Sequence, residues 1–449
     1  MLVTLSEGVL ITVVPSAVAG IGRLLRVSPG SLNWIVTAQL LSTGVCTPVF
    51  SRLGDIRGHR QILRAAVLTT AAGGVLTAIA PSFWLLLAGR ALQGPAGAFT
   101  PLAVGILRGQ AGPSRLRRGT VAVVTGATAG AALGFLAAGE TYRATGSVRD
   151  VLWIPAACSV AAAAAAFAFV PETGWRARLR MDWLGALSLS AGLGVLLLAL
   201  ANGGDWGWAS GRTIGALAAS LVLLAAWVAV ELLVTDPLID LRAMTRRAVA
   251  PFYLASLPLG VAFFGAATAT TTFLAASEHT AGYGFDLDVT AIAYIGLANA
   301  VAAILGAMVV PGLVRHLGHK PAVCAGCFVM FAGYAGLALW HSVLWPVIVA
   351  NSVAGLGIGV VSSAMAVVLT ERSGPASTGI SVGTWITVRA VGGSMAGAGF
   401  AALLTRVTID GTGIPREWAY ITVWLACGLA ALLSLLIAAT ATRGARSAH

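Results

Sequence analysis

The sequence predicts an all-α integral membrane protein of fourteen transmembrane helices, built as two six-helix pseudo-repeats plus a two-helix insertion. Three observations carry this. First, 58% of the 449 residues are hydrophobic and only 10% are charged, with a mean hydropathy of +0.89. That leaves too little polar side chain to cover a soluble body of this size. Second, the apolar residues fall in runs of about 20, the length that crosses a bilayer as a helix. Third, the tripeptide Gly58-His59-Arg60 after the second run is echoed by Gly318-His319-Lys320 after the tenth.

In chain order the expected spans lie at 3–22, 32–51, 62–80, 83–107, 119–139, 151–170, 183–201, 213–234, 250–275, 289–313, 322–340, 344–369, 379–404 and 418–441. Pro15, Pro48, Pro95, Pro101, Pro155 and Pro258 fall inside them, which membrane helices tolerate because neighbours re-satisfy the freed backbone groups. Pairing spans 1 to 6 with spans 9 to 14 leaves 7 and 8 as an inserted hairpin. The chain then divides into an N-terminal half (1–180), the hairpin (181–248) and a C-terminal half (249–449). A doubled bundle that binds its ligand near the midplane is a common transporter plan.

The net charge of +12 reports topology here. There is no basic tail and no basic run interleaved with aromatics, so nucleic acid is not an expected partner. With both termini inside, the inner segments hold 19 of the 28 Lys and Arg residues, and Arg90 and Arg389 lie within spans. Short loops rich in these residues stay cytoplasmic, so both ends are expected there. The N-terminus lacks a basic region ahead of its apolar run and leads straight to further spans, so no cleavable signal is expected. All five cysteines sit in apolar runs, and the CxxC at 324–327 reads as helix packing rather than a metal or redox site. HExxH and Walker patterns are absent, and the six histidines lie near loops or ends. An enzyme is therefore not expected, nor is a cofactor or metal.

The densest charge is SRLGDIRGHRQILR, 51–64. Here Asp55 can cap the helix that follows, Gly58 permits a turn that a side chain would resist, and Arg57 and Arg60 can grip carboxylates or helix carbonyls. With Gly54, these residues form a candidate cytoplasmic gating loop; the alternative is a topology signal alone. Arg90 and Arg389 lie too deep to reach the surface easily, and a charge at the bilayer centre costs about 2.5 to 3.5 kcal/mol, so each is expected to line the central cavity or its gates, or to pair with helix carbonyls. Gly126, Gly130 and Gly134 recur every four residues, a bare stripe that lets a neighbouring backbone approach. Glu140, Asp182, Glu231 and Glu278 are expected near span ends where water reaches them.

These residues resemble a known family, the major facilitator superfamily, and within it the fourteen-span drug:proton antiporters. RLGDIRGHR (52–60) looks like the family's loop signature GRLGDRxGRR, with Ser51, Ile56 and His59 in place of Gly, Arg and Arg. LLLAGRALQGPAGA (85–98) is similar to its RxxQG signature through Arg90, Gln93, Gly94 and Gly97. GATAGAALG (126–134) resembles the antiporter signature, with Ala131 for the usual Pro and Phe135 for a Gly. The likeness continues in LNWIVTAQLL (32–41), where Gln39 stands for a Tyr, in NGGDWGW (202–208), DPLIDLR (236–242) and VRAVGGSMAG (388–397).

The resemblance implies a secondary transporter of the bacterial multidrug or antibiotic efflux type, in the inner cell membrane, exchanging protons for a small organic compound and working as a monomer in the lipid bilayer. It also implies that the glycine stripe is a pivot or seal between halves. Related antiporters carry an acid early in the first span, which makes Glu7 the first proton-coupling candidate and Asp55 the second; alternatively Glu7 lies in an exposed helix end. The expected substrate lining comprises Trp34, Gln39, Arg90, Gln93 and Arg389. Two arginines against one acid suit a neutral or anionic compound better than a dication. A facilitator or symporter on the same fold is the alternative, and a membrane-embedded enzyme a more distant one.

Overall fold

A computed structural model of the chain describes residues 1–28, 31–108, 113–170, 180–235, 237–239, 241–244, 250–372, 378–409 and 413–441. Among these residues the regular structure is helical, apart from one isolated bridge between Thr408 and Pro415. The first run is a bent pair, α1 (Leu2–Ser16) and α2 (Val18–Leu25), which meet at 56° around Ala17. Then come α3 (Asn33–Arg57) and α4 (His59–Ile79). The run at 83–107 is divided into α5 (Phe83–Leu92), a 3-10 turn (Gly94–Ala98) and α6 (Phe99–Arg108). Pro95 sits at the start of that turn, where the missing N–H breaks the α-helical ladder. Next follow α7 (Pro113–Thr145), α8 (Val148–Phe169), α9 (Trp183–Trp206), α10 (Gly211–Leu233) and the short α11 (Leu241–Met244). The rest is α12 (Ala250–Ala275), a single turn α13 (Glu278–Ala281), α14 (Val289–Leu317), α15 (His319–Leu339), α16 (Leu344–Arg372), α17 (Thr378–Arg406) and α18 (Glu417–Ala439).

Among the described residues eleven helices are long and apolar enough to cross a membrane: α3, α4, α8, α9, α10, α12 and α14 to α18. The bent pair α1–α2 makes twelve if it is one span. Two of the fourteen expected spans fall outside that count. The fourth is interrupted by the 3-10 turn, and the fifth lies in α7, whose sequence is rich in Gly, Thr and Arg.

Local chemistry marks where several helices begin. Ser82, Ser147, Asp182, Ser210 and Asp288 each accept from a backbone N–H in the first turn of the helix they precede, satisfying a donor that the helix itself cannot. Large apolar side chains such as Leu221, Leu233, Met308 and Leu429 point outward, and tryptophans at helix ends (Trp84, Trp183, Trp340, Trp345, Trp418) are exposed. A soluble protein does not carry such a surface, but a bilayer with an interfacial aromatic belt accommodates it.

Inside, one apolar cluster is drawn from 252–441 and two from residues 3–170 with Val289 and Ala293. A small fourth cluster joins α9 and α10 to the segment around Leu238. The contacts repeat a pattern: α1 packs on α7 as α12 packs on α17, while α3 meets α17 as α14 meets α7. Small residues allow the closest of these approaches. A Cβ on Gly130 would stand 2.0 Å from the Leu5 carbonyl oxygen, and one on Gly392 would stand 2.0 Å from that of Leu257.

The two Gly-His turns share a backbone. Gly58, at φ +108°, is the single residue between α3 and α4, and Gly318, at φ +90°, is the single residue between α14 and α15. Both conformations favour glycine.

Candidate functional site

At the α3–α4 junction the charged stretch is not a loop. Helix α3 continues through Arg57 and α4 begins at His59, so Gly58 alone turns the chain. Asp55 therefore lies in the last turn of α3 and does not cap α4, a correction to the sequence expectation. It pairs across the Gly58 turn with His59 of α4, whose Nε2 is 3.2 Å from Asp55 Oδ1. Gly54 and Gly105 give the His59 ring its space, since a Cβ on either would press against it. Arg57 is exposed and Arg60 half-buried.

Arg90 on α5 is fully buried. Its Nε donates to the Ile35 carbonyl at 3.0 Å, its Nη1 to Gln93 Oε1 at 2.6 Å and its Nη2 to Gln39 Oε1. Gln93 in turn donates to Thr77 Oγ1 at 3.2 Å, and Thr77 to the Gly73 carbonyl at 2.8 Å. Three of the expected lining residues are thus one closed network that ties α5 to α3 and α4. Such satisfaction makes a buried charge tolerable, and it corresponds to the carbonyl-pairing alternative for Arg90. Trp34, one residue before Ile35, is half-buried.

Glu7 lies on the buried face of α1, 9% exposed, where its Oε2 accepts from Thr100 Oγ1 of α6 at 3.0 Å. The glycine stripe of α7 runs along this same helix. Gly126 faces Thr4, Gly130 faces Leu5 and Gly134 faces Val9 and Thr12, while Thr12 Oγ1 donates to the Ala131 carbonyl at 3.2 Å. The exposed-end alternative for Glu7 does not describe this packing.

Arg389 on α17 is within electrostatic range of Glu7. Its guanidinium carbon is 4.6 Å from the Trp385 ring centre, 4.9 Å from Phe263 and 5.5 Å from Phe264. A cation gains from lying over such π-faces. Phe263 also lines a cavity of about 120 Å³ between α1, α7, α12, α14, α15 and α16, whose other walls include Pro15, Phe135, Thr270, Thr271, Asn299 and Asn351. Farther along α12, Thr272 and Ala275 line a wider cavity of about 390 Å³. None of Trp34, Gln39, Arg90, Gln93 and Arg389 lines either of these cavities; Arg389 reaches the smaller one through Phe263.

Asp182 and Glu231, expected where water reaches, are instead 7% and 1% exposed. The α9–α10 hairpin and the segment 237–239 close over them. Glu231 accepts from Trp227 Nε1 at 2.9 Å and from the Ile239 N–H at 3.2 Å. Glu140 and Glu278 do lie at exposed ends, and Tyr294 of α14 donates to Glu140 across the α7–α14 contact. Sequence reasoning missed Thr100, Trp385, Phe263, Asn299 and Asn351. Their only signal was polarity or aromaticity inside an apolar run, which many residues here share.

A family profile described as "Major Facilitator Superfamily" matches residues 1–397. The chain is 31% identical over 439 residues to the cephamycin export protein CmcT of Amycolatopsis lactamdurans, covering 93% of this chain and 85% of that protein. It is 24% identical over 395 residues to the multidrug transporter protein MdtP of Bacillus subtilis, covering 85% and 69%. Among solved structures it superposes on an auto-inhibited peptide transporter of the POT family with a TM-score of 0.67 at 16% identity, covering 100% of this chain and 98% of the other. The human organic anion transporter MFSD10 gives 0.64 at 14% identity, covering 97% and 98%.

Proposed function

The chain belongs to the major facilitator superfamily, whose members are membrane transporters and not enzymes, and on that premise we propose that it exports a small antibiotic-like compound in exchange for protons. The observation that carries the coupling is the Glu7 carboxylate, buried on α1 beside Thr100 and within the field of Arg389 on α17. An ionisable group inside a membrane protein costs free energy, so its presence there points to a functional role. In this reading the empty protein carries a proton inward on Glu7, and a substrate that donates hydrogen bonds to the ionised carboxylate displaces that proton.

The wider architecture follows the same proposal. Fourteen spans, with both termini cytoplasmic in a bacterial inner membrane, divide into halves at 1–180 and 249–449 around a hairpin at 181–248, and one chain suffices. Support comes from the matched α1–α7 and α12–α17 contacts, from the matched cross-contacts α3–α17 and α14–α7, and from the matched Gly58 and Gly318 turns. The halves rock about the central cavity near Phe263, and the export direction rests on the named exporters among the relatives.

Inside-out vesicles test the coupling. Accumulation of substrate under an imposed proton gradient, abolished when the gradient is collapsed, is the expected result. Accumulation indifferent to the gradient refutes it and points to a facilitator. A second reading, symport, is favoured by Arg389 for a purely anionic substrate, because an anion held there and a proton on Glu7 attract each other and would travel together.

A further inference from the structure

Trp385 and Arg389 stand one turn apart on α17, and each holds a nitrogen shut off from solvent, Trp385 Nε1 and Arg389 Nε, with no hydrogen-bond partner. Buried N–H donors are ordinarily paired, so two orphans on adjoining side chains call for one acceptor. The three aromatic rings crowd the guanidinium without offering its Nε–H an oxygen or nitrogen acceptor, so that group remains to donate. We propose that Trp385 and Arg389 form the subsite that receives a carboxylate of the transported compound, whose apolar body lies over Phe263 toward the cavity of Thr270, Thr271, Asn299 and Asn351. This rests on the exporter reading only in taking the ligand to be the cargo. One guanidinium in an apolar wall suits a single planar negative charge, which it can grip through two parallel bonds.

Proton linkage follows from the neighbours. Glu7 is faced by Thr100 of α6 and by Arg389 of α17; α2, α7, α8, α12 and α14, which also pack on α1, bring no charge to bear on it among the described residues. Arg389 thus has two claimants, Glu7 and the incoming carboxylate. A simple acid binds better when Glu7 is protonated, so its binding takes up a proton. An acid that also presents a donor to Glu7 releases one instead, which is the sign that proton-driven export requires.

The test is binding to purified full-length protein, with naphthalene-2-carboxylate, its methyl ester and 6-(aminomethyl)naphthalene-2-carboxylate as probes. The acid should bind about tenfold or more tightly than the ester, the range of a charge-assisted hydrogen bond. Arg389→Gln should erase that difference while ester binding persists, Arg389→Lys should retain part of it, and Trp385→Phe should weaken the acid but not the ester. Acid affinity should rise as pH falls in the parent and stay flat in Glu7→Gln. In weak buffer the acid should take up protons and the amino acid should release them. Equal binding of acid and ester, no binding of the acid, or an acid preference that survives Arg389→Gln overturns the proposal. Should Arg389→Gln lose ester binding as well, an unweakened acid in Trp385→Phe overturns it. A failure of gradient-driven transport in vesicles would sink the exporter reading and leave these binding results standing.

Discussion

Gly130→Ala should separate α1 from α7 and slow transport. The new Cβ would stand 2.0 Å from the Leu5 carbonyl oxygen and 2.8 Å from its carbon. Both are backbone atoms, so no side-chain rotation relieves the clash. Ordinary contact begins at 3.4 Å, so the two helices must part by roughly 1.4 Å locally. Overpacking of this kind costs about 1 to 3 kcal/mol. Glu7 rides on the displaced helix two residues beyond Leu5, and its 3.0 Å bond from Thr100 has only about 0.5 Å to spare before it ceases to be a hydrogen bond. Two controls grade the effect. At Gly126 the nearest obstacle is the Thr4 hydroxyl at 2.7 Å, which can rotate, so Ala there should be milder. At Gly215 on α10 nothing lies within 4 Å, so Ala there should stay within about 0.5 kcal/mol of the parent. Thermal unfolding of purified protein and proton-driven uptake into inside-out vesicles are the assays. A Gly130→Ala protein that matches the parent in both, or is no worse than Gly126→Ala, refutes the argument.

The remaining predictions concern coupling, the turn and topology. Glu7→Gln should abolish proton-driven accumulation while substrate still binds; unchanged gradient dependence would move the coupling role to another acid, Asp55 first. Asp55→Asn removes the charge facing His59 and should slow transport without affecting insertion. Gly58→Ala, held at φ +108°, should lower thermal stability by about 1 to 3 kcal/mol. Parental rates in both variants would reduce the junction to a topology signal. Cysteines at 147 and 209 should label from outside and one at 374, which lies beyond the described residues, from inside; labelling of 147 and 374 from one face would overturn the fourteen-span arrangement.

Apolar run length was a sound guide to the helices because in a bilayer each backbone group must bond within its own segment. Charge was a poorer guide to where they stop. Residues 51–57 and 59–64 are charged yet helical, since arginines mark the membrane boundary and only Gly58 breaks the ladder. That is why Asp55 was misassigned as a cap. The glycine stripe was legible as a contact surface, but its partner α1 was not, because helix spacing records a face and not what lies opposite. The same limit applies to the charged groups. Arg90 and Arg389 read alike in sequence, each a lone arginine in a span. One is closed in a hydrogen-bonded network and the other rests among rings supplied in part by α12, more than 120 residues away. Asp182 and Glu231 fall at span ends, yet the chain folds back over them.

The glycine turns have a mechanical consequence. One residue reaches at most about 3.6 Å, so a single-residue joint has no slack. Helix α3 lies against α17 of the other group, whereas α4 is seated against α8 of its own; α14 and α15 repeat this, with α7 and α18 as the respective neighbours. Any slip of α3 along α17 is therefore handed undiluted, at its C-terminal end, to a helix anchored elsewhere, and α14 does the same for α15. The joints act as stiff couplings at one end of two long rods. Whatever opens the bundle there must carry α4 and α15 with it, so displacement at the contact surface becomes movement of each whole group.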